Sequence, residues 1–210
     1  MKFSLKYNLA LLVLVLTLSS SALRTGATNS FHTSESVGFY TSEDTIRGLT
    51  FEMFKQLTAN LDTLPQAMNK AWKLWKAQKW DKLETFFEKN NLNGEYPPAD
   101  GFISVEVVTL EDDARVDRYG SLWGTFVAPT GTPFGERALP ASSKERIYYK
   151  FEVIQDIDSV LKGKAIPWFG MPGEGIQYMM PRSMKDLVAG KYIIVLDSIV
   201  PKIKKDKYNQ

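Results

Sequence analysis

Gly94-Glu95-Tyr96-Pro97-Pro98 divides the chain into two textures. Two consecutive prolines fix φ and remove two backbone donors, so neither a helix interior nor an inner strand runs through them. On the N-terminal side the apolar residues recur with helical spacing. Met68, Ala71, Trp72 and Trp75 stand at i, i+3, i+4 and i+7, and Trp80, Leu83 and Phe87 continue a similar face. Thr63 before Leu64-Pro65 reads as a helix start, because threonine caps and proline suits a first turn. Asn90-Asn91 and Gly94 end the run, which begins near Asp44. Its three tryptophans read as buried anchors of a helical packing arm. On the C-terminal side short β-rich runs alternate with turns: Phe102–Val108, Gly124–Val127, Tyr148–Ile154, Ile176–Met180 and Tyr192–Leu196. One helix is expected at Lys185–Ala189, with Ser183 as cap, Asp186 three residues on, and Gly190 closing it. Several short strands with one internal helix predict an α+β fold, an N-terminal helical segment packed on a small mixed or antiparallel β-sheet domain.

Further out, the first residues read as a secretory signal. Lys2 and Lys6 precede the apolar run Leu9–Leu18, and Ser20-Ser21-Ala22 offers small residues for cleavage near Ala22. A spanning helix needs about 20 apolar residues, roughly twice this run, so a signal of residues 1–22 is preferred to a membrane anchor and no span is expected in the mature chain. Secretion is the expected destination, with a lysosome or vacuole as the alternative. Residues 23–41 are rich in Ser, Thr and Gly and read as a flexible lead-in, so that 23–93 comprises lead-in and helical segment. The tail 201–210 is basic and reads as solvated.

The 210 residues carry a formal net charge of +2, too little to argue for a nucleic-acid partner. There is no cysteine, hence no disulfide framework, and the single histidine, His32, falls in the lead-in. Ser-His-Asp and Cys-His catalysis and His/Cys metal sites are thereby excluded from the folded part. An all-oxygen Ca²⁺ site with Glu111-Asp112-Asp113 remains open beside a solvated-loop reading of that run, and no metal or other cofactor is assigned. Gly170-Met171-Pro172-Gly173-Glu174-Gly175 matches neither a dinucleotide fingerprint nor a phosphate loop. What survives is Arg118, Arg137 and Gln177 in turn-rich, aromatic surroundings. Strand alternation puts Gln177 on the face opposite Ile176 and Tyr178. By residue type alone this set supports an anion-binding enzyme or a binding module.

The order of the motifs is more specific. Tyr96-Pro-Pro-Ala-Asp-Gly-Phe102, Asp117-Arg-Tyr-Gly-Ser121, Gly131-Thr-Pro-Phe134, Arg137-Ala-Leu-Pro140, Tyr148-Tyr-Lys-Phe-Glu-Val153, Pro167-Trp-Phe-Gly170 and Gly175-Ile-Gln-Tyr178 follow one another along the chain. This series resembles the tuberculosis necrotizing toxin domain family, which includes fungal secreted and surface NAD glycohydrolases. The resemblance marks 94–200 as the enzymatic domain. It implies hydrolysis of the nicotinamide–ribose bond of NAD⁺ or NADP⁺, with nicotinamide and ADP-ribose or its phosphate as products.

The resemblance carries the family's active-site residues onto Arg118, Arg137 and Gln177. Gln177 is expected to orient the ribose hydroxyls or the attacking water, and the two arginines to hold the pyrophosphate. Tyr119, Phe126, Phe134 and Trp168 are the candidate ring contacts for nicotinamide or adenine, and Glu174 the candidate base. Some members carry a histidine near the place of Tyr148 and Tyr149, where this chain has tyrosine. An ADP-ribosyl transferase or cyclase, and an inactive nucleotide-binding module, stand as alternatives on the same scaffold. A homodimer is left open.

Overall fold

The computed structural model describes residues 45–58 and 64–201. The expected signal, lead-in, His32, Thr63 and the basic residues after Pro201 lie outside the described residues.

Three helices build the arm. α1 (Phe51–Gln56) is capped by Thr50, whose side chain accepts from the Met53 amide at 3.1 Å. α2 (Pro65–Lys76) begins with proline in its first turn, and Leu64 holds the capping position without a side-chain bond. α3 (Trp80–Asn90) ends where Asn91 turns left-handed at φ 49°, a conformation that asparagine tolerates better than most residues. The helical spacing read from the sequence selects the inward faces: Phe54, Met68, Ala71, Trp75, Leu83 and Phe87 are all buried. Of the three tryptophans expected as buried anchors, only Trp75 is fully enclosed. Trp72 stacks on it at 5.1 Å from the edge of the cluster, and Trp80 is also only partly buried.

The arm shares its core with the segment after the double proline. Phe102, Ile103, Val105, Ile166 and Trp168 belong to the same apolar cluster as α1–α3. Two indoles tie the junction with polar bonds that satisfy otherwise buried groups. Trp75 Nε1 donates to the Phe102 carbonyl at 2.9 Å, and Trp168 Nε1 donates to that of Glu95 at 2.8 Å.

Among the described residues seven strands form one sheet: β1 (Glu106–Leu110), β2 (Arg115–Tyr119), β3 (Phe126–Pro129), β4 (Tyr148–Val153), β5 (Ile157–Lys164), β6 (Ile176–Met179) and β7 (Ile193–Ile199). Their order is β1-β5-β6-β3-β2-β4-β7, and every neighbouring pair is antiparallel. The α+β expectation therefore holds, and of its two sheet types the antiparallel one is found. α4 (Met184–Ala189) is capped as expected, the Ser183 hydroxyl accepting from the Asp186 amide at 3.1 Å. Its Met184 and Leu187 join a second core with Val116, Phe151, Val160 and Ile193.

Two strands were not expected. β2 has charged residues at three of five positions: Arg115 is exposed and paired with Glu152, while Asp117 and Arg118 face a cavity rather than a dry core. β5 carries Gly163 and two lysines. That glycine is required by contact: a Cβ there would lie 1.7 Å from the Ser104 carbonyl oxygen. The expected strand Phe102–Val108 is displaced toward the C-terminus, because Phe102 makes only an isolated bridge with Ala165 before β1 begins.

Candidate active site

A cavity of about 440 Å³ opens where β2, β3 and β6 meet the turns around residues 97–101 and 137–146. That volume is typical of small-molecule sites. Arg118, Arg137 and Gln177 all line it, brought together from β2, a 3₁₀ turn (Phe134–Arg137) and β6.

The two arginines are electrostatically unlike. Arg137 is almost wholly buried and sits 2.5 Å from Asp117 through Nη1–Oδ1, with Nε donating to the Thr132 carbonyl at 2.9 Å. Asp117, fully buried, also accepts from the Tyr148 hydroxyl at 2.5 Å and the Gly131 amide at 3.1 Å. Its negative charge is thus surrounded by donors, and the Arg137 charge is neutralised within the protein. Tyr148 holds this carboxylate in place. Burial and the bond to Asp117 push its phenol pKa up.

Arg118 has no carboxylate partner among the described residues. Nη1 donates to the Phe126 carbonyl at 2.8 Å, while Nε is buried without an acceptor. Burial first, and the nearby positive charge of Arg146 second, bring its pKa down from 12.5 to about 10, against an opposing effect of Tyr149. It remains a cation at neutral pH. Arg146 lines the mouth of the same cavity and is itself exposed. The guanidinium of Arg118 lies against Gly124, where a Cβ would come within 2.1 Å of Nη2. Together these residues place two unneutralised positive charges on one wall, with Arg118's donors partly desolvated. Such a wall suits an anion that accepts from a guanidinium fork.

Gln177 stands opposite Gly163 in the β5–β6 register. Its Nε2 donates to the Gly101 carbonyl at 3.0 Å and reaches that of Asp100 at 3.5 Å. With the amide nitrogen so committed, Oε1 is left as the acceptor, in the orientation suited to a hydroxyl or water. The alternation read from the sequence agrees, since Tyr178 packs toward the second core instead.

The remaining expected contacts divide. Tyr119 and Phe126 line the cavity. Phe134 does not: it sits edge-on to Tyr119 at 5.3 Å, with Lys144 Nζ 4.6 Å from its ring centroid, and so buttresses a wall ring. Trp168 is 1% exposed and packs edge-on against Phe87 at 5.6 Å, leaving no free face for a ligand. Glu174 is exposed and paired with Lys164 at 3.2 Å, away from the cavity lining. In place of these, Tyr96 and Phe169, edge to face at 5.3 Å, supply wall rings, and Asp100 a carboxylate. Phe169 directly follows the tryptophan singled out from the sequence, and its left-handed φ of 55° is invisible to spacing. Arg146 carried no sequence signal, being one cation in an unpatterned loop. Glu111, Asp112 and Asp113 are exposed around the β1–β2 turn. Among the described residues no group of three or more His, Cys, Asp or Glu is arranged to hold a metal.

Comparison with known proteins agrees with the motif series. Residues 109–195 match the family described as Tuberculosis necrotizing toxin. The conidial surface nicotinamide adenine dinucleotide glycohydrolase nadA of Aspergillus fumigatus is 34% identical over 116 residues, covering 49% of each chain. The present chain thus spans about half the length of that curated relative. Among solved structures, tuberculosis necrotizing toxin complexed with its immunity factor is 20% identical, with a TM-score of 0.41 over 48% of this chain and 60% of that one. Tse6 in complex with Tsi6 is 15% identical, with a TM-score of 0.33 over 59% of this chain and 96% of that one.

Proposed function

We propose that this protein is an NAD⁺ glycohydrolase, acting also on NADP⁺, that hydrolyses the bond between nicotinamide and ribose. The observation that carries the reading is the cavity's pairing of a partly buried Arg118, which has no carboxylate partner among the described residues, with a glutamine whose amide nitrogen is held by backbone and whose oxygen is left to accept. The match of 109–195 to the toxin family and the name of the fungal relative support the same reading.

The residues suit that reaction. Nicotinamide leaves a pyridinium as a neutral molecule, so no acid is needed to protonate it. The bond's electron pair passes to the ring nitrogen and an oxocarbenium-like ribose remains, for which oriented dipoles are the effective catalyst. Gln177 Oε1 accepts from a ribose hydroxyl or the attacking water, its direction fixed by the two backbone carbonyls that hold Nε2. The pyrophosphate carries two negative charges, and among the described residues Arg118 and Arg146 are the cavity-lining cations without a carboxylate partner. Arg137, whose charge Asp117 already neutralises, shapes the wall and keeps Tyr119 in place, 5.5 Å beneath its guanidinium. Tyr119, Phe126, Tyr96 and Phe169 provide apolar faces for the flat ends of the dinucleotide.

Export is part of the reading, resting on the leader at residues 1–22. Among the described residues no helix is long and apolar enough to cross a membrane.

Chromatography of NAD⁺ incubated with the purified protein tests the proposal. Equimolar nicotinamide and ADP-ribose are expected. A folded sample releasing nicotinamide from neither NAD⁺ nor NADP⁺ sinks it, and cyclic ADP-ribose or a modified protein in place of ADP-ribose reassigns the acceptor. A subtler variant checks the role of Arg118. In Gly124→Ala the new methyl occupies the place of the guanidinium, so kcat/KM is expected to fall on the order of 10-fold or more, with little change in thermal unfolding, since the displaced group is a flexible side chain near the cavity.

A further inference from the structure

Among the described residues two carboxylates line the cavity, and one of them has no partner. Asp117 is enclosed by Arg137, Tyr148 and the Gly131 amide. Asp100 has no hydrogen bond or ion pair to its carboxylate among the described residues, although it is partly buried at the cavity wall. Its backbone is held on two sides. From the arm, the carbonyl of Leu57, just past α1, accepts from the Asp100 amide at 2.9 Å. Thr58 Oγ1 accepts from the Ala99 amide at 2.7 Å while donating to the Phe54 carbonyl at 2.6 Å. From the sheet, Gln177 Nε2 binds the carbonyls of Asp100 and Gly101.

Between these clamps Ala99, Asp100 and Gly101 are consecutively left-handed, with φ of 51°, 49° and 76°. Such a conformation is unfavourable for alanine and persists where the surroundings impose it. A partly buried carboxylate on an imposed backbone beside Gln177, with no partner among the described residues, costs the fold desolvation and returns no bond to it.

We propose, resting on the NAD⁺ reading above, that Asp100 is a catalytic residue, the base that takes the proton of the attacking water. As the C1′–N1 bond breaks with its electron pair leaving on nicotinamide, the water oxygen bonds to C1′. One water proton passes to the Asp100 carboxylate and from there to solvent; the water's other hydrogen stays as the new C1′ hydroxyl. Gln177 and Asp100, tied together through the 100–101 backbone, then address the same water from one side of the cavity.

The electrostatics are compatible. Burial raises the Asp100 pKa from 3.8 to about 6, so the group is an ionised base at neutral pH yet basic enough to accept a proton. The charged groups on the surrounding elements are Arg118, the Arg137–Asp117 pair and Arg146 around the cavity, and Glu52 and Lys55 on α1, which pair with each other at 2.6 Å. None of them forms an ion pair with Asp100. Because folding raises this pKa, the folded chain binds more protons than the unfolded one between about pH 4 and pH 6, and Asp100's contribution to stability falls as pH rises through that window.

Asp100→Asn tests the proposal, asparagine being as tolerant of the left-handed backbone as aspartate. The expected result has three parts: kcat for NAD⁺ lower on the order of 100-fold, NAD⁺ affinity by calorimetry within threefold of wild type, and a midpoint of thermal unfolding raised at pH 7.5 but not at pH 4. Wild-type kcat is also expected to decline below about pH 6, with that limb missing in the variant. A variant with near-wild-type kcat, one that keeps the acid limb, or one that unfolds at pH 7.5 overturns the assignment. Wild-type protein that releases no nicotinamide at any pH overturns the glycohydrolase reading instead.

Discussion

Arg118→Ala is expected to lower kcat/KM for NAD⁺ by about 10³-fold while leaving the protein folded. Truncating a desolvated, hydrogen-bonded charge that faces its partner removes roughly 2–5 kcal/mol of interaction. That range spans the stated factor. Stability follows a different course, because Arg118 pairs with no carboxylate among the described residues and its removal strands no opposite charge. The losses are one bond to the Phe126 carbonyl and the packing of the side chain on Gly124; the gain is release from burying an unpaired cation. Steady-state kinetics beside thermal unfolding therefore separate the two. Arg118→Lys is expected to recover only part of the activity, since an ammonium restores charge but not the fork. A loss of stability in proportion to the loss of activity would mean that Arg118 is a structural residue.

The reverse pattern is expected of Asp117→Ala. This fully buried carboxylate takes two hydrogen bonds and the ion pair to Arg137, and its removal leaves Arg137 buried without a counterion. Breaking such a pair destabilises by about 3–5 kcal/mol, a large part of the roughly 5–15 kcal/mol that holds a domain folded. A fall in the urea midpoint with an unchanged slope is the readout. Removing both charges together in Asp117→Leu/Arg137→Met is expected to recover much of the loss, because no buried charge is then orphaned. If Asp117→Ala unfolds at the wild-type midpoint, Arg137 is not held as described and its charge is available to the ligand after all.

The parts of this protein legible in its sequence are those where side-chain type and spacing carry the physics. The tryptophan and phenylalanine positions of α2 and α3 follow the helical period because one face must be dry. Ser183 and Asp186 mark α4 because a cap is a local bond. The strands β2 and β5 escape for the complementary reason. β2 turns Asp117, Arg118 and Tyr119 toward a polar cavity, so its pattern is that of a site and not of a half-buried strand. Motif order singles out Arg118, Arg137 and Gln177, and the fold brings all three to the wall of one cavity. Their division of labour is not legible in that order, since only the fold shows that Asp117 neutralises one arginine and leaves the other free. Trp168 lies outside the cavity because its ring is enclosed against Phe87, and Glu174 because proximity along the chain to Gln177 is not proximity to its amide. The left-handed turn at Gly170 and the close approach of Gly173 to Ala165 and Pro167 redirect the intervening loop. Asp100 stands in a recognised motif, yet the role proposed for it depends on its carboxylate having no partner among the described residues, which only the folded chain reveals.

The central claim, that this cavity cleaves NAD⁺ through Gln177 and its neighbours, is tested most directly by following NAD⁺ in one proton NMR series with wild-type protein and with Gln177→Ala. The wild type is expected to convert NAD⁺ signals into those of free nicotinamide and ADP-ribose in equal amounts, and the variant, folded by its own amide spectrum, to do so at least about 100-fold more slowly. Unchanged NAD⁺ signals with the wild type, or a variant that hydrolyses at the wild-type rate, would contradict that claim.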